Sequence, residues 1–146
     1  MSKRVEVHSD LPFSASRVWS VLSDIESYPE WNPQFISAKG SATLDSILEL
    51  RVNPPSGKGQ PYDFRAKIVD LVPERSLVWE GGFRPILWGR HFFNLRKRDG
   101  GVLLTHGEAF QGLYPFWIGQ RGVDALRPAY EAANHALEKR LSDQQN

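Results

Sequence analysis

Two histidines and a glutamate carry the densest chemistry in this chain: His91, His106 and Glu108. They lie on two alternating runs, Trp88 to Arg98 and Val102 to Phe110, separated by Asp99-Gly100, a dipeptide suited to a two-residue hairpin turn. With that turn, positions whose numbers sum to 199 face one another, so His91 opposes Glu108, Phe93 opposes His106 and Leu95 opposes Leu104. Moving the turn to Gly100-Gly101 shifts partners by two but keeps the face. The set His91, Phe93, Leu95, Leu104, His106, Glu108 and Phe110 therefore shares one mostly apolar face, while Arg90, Asn94, Arg96, Thr105 and Gly107 occupy the other. The first face should point inward.

Opposed Cβ atoms in such a ladder sit about 4.5 to 5.5 Å apart, which predicts a hydrogen bond from Glu108 to one of the histidines. Three uses are open for the cluster. It serves as a satisfied polar network inside an apolar core, as the polar end of a ligand site, or as an acid-base pair. A buried glutamate–histidine pair that holds a proton near neutral pH could drive an aldol-type ring closure or a dehydration. Two histidines and a glutamate could also hold zinc, but ligating histidines usually come with a dedicated second shell, and no His-x-x-x-His or cysteine pair supports it here. No metal or cofactor is expected. No serine lies in a Gly-x-Ser-x-Gly context, and no glycine-rich loop precedes a helix to hold a phosphate.

These residues must be positioned by the rest of the chain. Arg4 to His8 alternates with period two, a first strand with its valines inward. Ala15, Val18, Trp19 and Leu22 then recur with helical spacing, with Ser14 or Ser16 available as cap. The helix cannot run through Tyr28-Pro29-Glu30-Trp31-Asn32-Pro33, where two prolines force a turn. Trp31 is expected to be buried beneath that corner. Strands are expected at Phe35 to Gly40, Ser46 to Asn53, Tyr62 to Val72 and Leu77 to Gly81, before the long hairpin. The Pro54 to Pro61 loop is the expected mobile gate. Leu126, Tyr130, Ala133, Leu137 and Leu141 mark one face of a C-terminal helix, bent or broken near Gly119, Gly122 and Pro128, and Ser142 to Asn146 form a polar tail. His135 is expected on the surface.

The 146 residues suit one domain. With no cysteine there is no disulfide, thiol nucleophile or thiolate metal site, which agrees with a cytoplasmic location. No signal-like or membrane-spanning run is present, and a net charge of +1 provides no field for nucleic acid. Eight Phe, five Trp and four Tyr, spread over several elements, suit either a filled core or a ring-lined cavity. Tyr62, Trp79, Trp88, Phe116 and Trp117 are read as packing residues that together could line such a cavity.

Strand, helix, six strands and helix, without alternation, make an α+β protein with an antiparallel sheet. Two patterns carry a resemblance. One is Val18-Trp19-x-Val21-Leu22 followed by Asp24-x-x-x-Tyr28-Pro29-x-Trp31-Asn32-Pro33. The other is Gly89-x-His91-x-Phe93-x-Leu95, Gly100-Gly101 and Thr105-His106-x-Glu108-x-Phe110-x-Gly112. The chain resembles the SRPBCC superfamily, the START-like and polyketide cyclase/dehydrase group, from Val5 to Leu141. The resemblance implies a helix-grip fold, a curved sheet of six to seven strands round the C-terminal helix, with a cavity between. A small hydrophobic or aromatic ligand, lipid- or polyketide-like, would then meet His91, Phe93, His106, Glu108, Phe110, Trp79, Phe64 and Tyr130. The alternative is a cyclase or dehydratase using His91, His106 and Glu108, and a third reading is a protein-interaction module without ligand, which requires an exposed apolar patch.

Overall fold

In a computed structural model, residues 3–144 are described. Strand β1 (Lys3–Leu11) buries Val5 and Val7 and exposes His8. Helix α1 (Ala15–Leu22) starts where the Ser14 side chain accepts the Arg17 N–H at 3.2 Å, so the nearer serine is the cap. A short 3₁₀ turn, α2 (Ile25–Glu30), follows and contains Pro29. Six further strands complete the sheet: β2 (Phe35–Lys39), β3 (Ile47–Val52), β4 (Tyr62–Val72), β5 (Ser76–Phe83), β6 (Leu87–Arg98) and β7 (Gly101–Gln111). Helices α3 (Leu113–Asp124) and α4 (Arg127–Asp143) end the described chain. Gln145 and Asn146 of the expected polar tail lie outside the described residues.

All seven strands form one antiparallel sheet in the order β1-β7-β6-β5-β4-β3-β2. With α4 laid across its concave side, this is the helix-grip fold. Among the described residues no helix is long and apolar enough to cross a membrane. The main core joins α1, the 3₁₀ turn, the inner faces of β2 to β7 and the Leu137 and Leu141 end of α4. A second cluster, Val5, Val7, Phe110, Val123 and Tyr130, ties α3 and α4 to the other end of the sheet.

The corner after α1 is held by Tyr28, which is fully buried and donates its hydroxyl to the Leu22 carbonyl. Its ring meets Trp31 and Phe35 edge-on, both at 5.2 Å. Trp31 is partly buried, packed against the main core with its Nε1 enclosed. In the tight turn Tyr28 and Asn32 point inward, one helical turn apart, and Asn32 is the polar residue that the core absorbs. The C-terminal break is where the glycines and proline suggest it. The backbone leaves helical geometry at Gly119, and Pro128 lies in the first turn of α4, where its missing N–H costs nothing.

Candidate functional site

The β6–β7 hairpin turns at Asp99-Gly100, with Gly100 at a φ of +80° that suits glycine. His91 pairs with Glu108, Phe93 with His106 and Leu95 with Leu104. The three polar residues share the concave face, but they do not form one cluster. His91 and His106 are diagonal neighbours, and their Nε2 atoms meet at 2.9 Å. Glu108 bonds neither histidine. Its Oε1 accepts the Tyr130 hydroxyl at 2.7 Å. The expected glutamate–histidine bond is therefore replaced, because α4 brings two polar residues one turn apart: Tyr130 above Glu108 and Asn134 above His106.

The partners assign the imidazole protons. Asn134 Nδ2 donates to Ser9 Oγ at 3.0 Å, which turns Oδ1 toward His106 Nδ1 at 2.8 Å. An amide oxygen only accepts, so His106 Nδ1 carries the hydrogen, and the Tyr130 backbone carbonyl favours the same proton. A neutral His106 then has a bare Nε2, which accepts from His91 Nε2. His91 Nδ1 is left unprotonated and buried without a partner. Burial, opposed by those two oxygens, lowers His106 to about 4, and burial with the neighbouring His106 holds His91 well below the usual imidazole range. Both rings are neutral at physiological pH. They are also clamped: Trp79 stacks on His91 at 4.2 Å and Phe93 on His106 at 4.3 Å.

An inner chamber of about 70 Å³ opens beside this wall. Phe64, Trp79, His91, Glu108, Phe110 and Tyr130 all line it, as do Tyr62 and Gly89. His106 and Phe93 do not. Each is almost completely buried behind the wall, so His106 acts on the chamber through the wall residues it touches, His91 and Tyr130. An outer chamber of about 340 Å³ shares Pro55, Tyr62, Phe83, Leu87 and Phe110 with the inner one and reaches α3 through Tyr114, Pro115 and Ile118. Pro54, Ser56 and Lys58 of the expected gate loop stand at its edge. The outer chamber alone falls in the range of ordinary ligand pockets, ~300 to 1,000 Å³.

Phe116 and Trp117 line neither chamber. They are 77 % and 83 % exposed, because the helical period of α3 turns Tyr114, Pro115 and Ile118 inward and these two outward. With Leu113, Phe83 and Ile86 they expose a large apolar surface beside the mouth.

Glu108 is the electrostatic centre of the inner chamber. Burial pushes its carboxyl from 4.5 up to about 7, against the Tyr130 hydrogen bond, which favours the ionised form. Burial and Glu108 in turn raise Tyr62 to about 12. Gly89 makes room for the group: a Cβ there would collide with Glu108 Oε2. Tyr62, read from the sequence as a packing ring that could help line a cavity, does line it, whereas sequence reasoning missed Asn134 as the anchor of His106. The signal for Asn134 was its place among the buried residues of α4, Tyr130, Ala133 and Leu137. Among the described residues no three His, Cys, Asp or Glu side chains are grouped as metal ligands.

The family described as polyketide cyclase / dehydrase and lipid transport matches residues 2–142. The chain belongs to that family. A START superfamily protein from Mycobacterium smegmatis shares the fold at a TM-score of 0.79 and 21% identity, over 97% of this chain and 98% of that one. The Zhui aromatase/cyclase from Streptomyces sp. R1128 gives 0.72 and 17%, over 100% and 97%. The di-domain ARO/CYC StfQ of the steffimycin pathway gives 0.73 and 14%, over 99% of this chain and 52% of that one, so the chain spans about half its length. No curated protein matches the chain in sequence. At these identities the solved structures share the fold of this polyketide cyclase/dehydrase family member; its site must be judged on its own residues.

Proposed function

We propose that this chain works as a single binding domain that takes up a small, ring-bearing hydrophobic molecule through the outer chamber and seats its polar end against Glu108. The observation that carries the reading is the inner chamber itself: a carboxyl held by Tyr130 in a space also walled by Tyr62, Phe64, Trp79 and Phe110. Placing a buried carboxyl there costs free energy, so the arrangement works against stability and is accounted for by binding or chemistry. The exposed apolar surface beside the mouth is the feature a protein-interaction module requires. Because Phe83 belongs both to that surface and to the chamber walls, we read it as the entry side of the cavity.

A second reading has an observation of its own. A carboxyl at about 7 is poised to give or take a proton near neutral pH, which supports acid-base ring closure or dehydration of a polyketide-like substrate. In that reading Glu108 is the acid-base group, His91 a neutral wall residue, and His106 a positioning residue. Native mass spectrometry of protein recovered from its source tests the first reading: a small apolar molecule should be released unchanged. Protein that carries nothing, and whose affinity for added 2-naphthylmethanol is unaffected by Leu87→Trp in the neck between the chambers, would refute it. Turnover lost in Glu108→Gln while binding survives would favour the second.

A further inference from the structure

Among the described residues Glu108 is the one carboxylate that lines the inner chamber, and no lysine or arginine lines it. Oε1 is taken by the Tyr130 hydroxyl, whereas Oε2, lying over Gly89, has no hydrogen-bond partner among the described residues. The nearest candidate counter-ion would be His91, but its Nε2–H is committed to His106 and its ring is held neutral. The other walls include the rings of Tyr62, Phe64, Trp79, Phe110 and Tyr130, and the further polar side chains among them, Gln34 and Asn53, carry no charge. Ring faces carry partial negative charge and attract organic cations, most strongly where water is excluded. A carboxylate without a counter-charge, set among such faces, is complementary to a positive ligand and repels a carboxylate or phosphate. Among the described residues Lys58 is the one basic side chain lining the outer chamber, and it is exposed, so its charge is screened by water and salt.

We infer that the preferred ligand is an aromatic amine-bearing molecule whose protonated nitrogen sits against Glu108 Oε2, within the rings of Tyr62, Trp79 and Tyr130. The inference rests on the cavity reading above and adds the ligand's charge to it. The ammonium supplies the counter-charge that the fold withholds, donates to the unpaired oxygen, and faces the aromatic quadrupoles. A neutral ligand of the same shape would only hydrogen-bond the oxygen and supply no charge that favours the ionised carboxylate.

Two probes of nearly equal shape separate these cases, 2-naphthylmethylamine, protonated near neutral pH, and neutral 2-naphthylmethanol. Calorimetric titration of the full chain with each, for wild type and Glu108→Gln, gives four affinities. The amine should bind wild type about tenfold or more tightly than the alcohol, as a charge-assisted hydrogen bond allows. In Glu108→Gln that preference should vanish while the alcohol still binds. Equal affinities in wild type, or a preference for the alcohol, would overturn the charge assignment and leave the cavity reading standing. A preference that persists in Glu108→Gln would overturn the role of Glu108. If neither probe binds wild type, the cavity reading falls and the inference with it.

Discussion

Glu108→Gln should stabilise this protein at alkaline pH, and the size of the gain can be worked from the site. In the unfolded chain the carboxyl titrates near its ordinary 4.5, whereas in the fold it is raised to about 7. Between those values the folded state holds a proton that the unfolded state has released. Stability is therefore fully present below 4.5, falls as pH rises to 7, and stays low above it. The shift from 4.5 to about 7 corresponds to at most about 3 kcal/mol. Glu108 also touches the cavity, so water there will reduce the figure to about 2 to 3 kcal/mol. Glutamine has nearly the same shape, accepts the Tyr130 hydroxyl through its carbonyl oxygen, and removes the charge. Urea unfolding of both proteins at about pH 4.5 and pH 8 should show a stability difference that moves in favour of Glu108→Gln by about 2 to 3 kcal/mol between the two conditions. A difference independent of pH, or one that turns against the variant at high pH, would show that Glu108 is solvated or paired and would remove the basis for its role.

His106 sets the opposite limb. Its value falls from 6.5 to about 4, so the unfolded chain gains a proton that the fold refuses, and stability should drop by up to about 3 kcal/mol as pH falls from 6.5 to 4. His106→Phe should remove its share of that limb and leave the part owed to His91, which burial also holds below the usual imidazole range; chemical denaturation across the range would detect the reduction. Asn134→Leu should cost about 1 to 3 kcal/mol by leaving the His106 N–H and Ser9 without their partner, and unfolding near neutral pH measures it. Gly89→Val should drive the Glu108 carboxylate off its floor, with loss of 2-naphthylmethanol binding at least tenfold by titration; unchanged affinity would place the ligand elsewhere. At the corner, Tyr28→Ala should cost about 3 to 5 kcal/mol and Trp31→Ala distinctly less, as the burial of the two rings requires.

Much of the fold was legible because its signals are local. Alternation and turn chemistry placed β4 at its observed ends, and a two-residue turn at Asp99-Gly100 fixed the parity that puts His91, His106 and Glu108 on one face. The helix break at Gly119 and Pro128 was equally readable. What the sequence did not carry was the docking of α4. Whether Glu108 meets a histidine or Tyr130 depends on the height and rotation of a helix that contacts the sheet from more than twenty residues away, and no periodicity encodes that. Trp31 lies less deep than its neighbours Tyr28 and Asn32, which take the inward positions of the corner, and its ring packs against the edge of the core. Phe116 and Trp117 were read as packing residues that with other rings could line a cavity, but the helical phase of α3 turns both to the surface.

The central claim is that an apolar ring enters from the outer chamber and lies against the wall formed by Trp79, Phe110 and Tyr130. Crystals soaked with 2-bromonaphthalene, with data collected at the bromine absorption edge, test it directly. The account predicts an anomalous bromine peak within the chambers, between Trp79 and Phe110. A peak found only on the exposed face of Phe116 and Trp117, with both chambers unchanged, would contradict it.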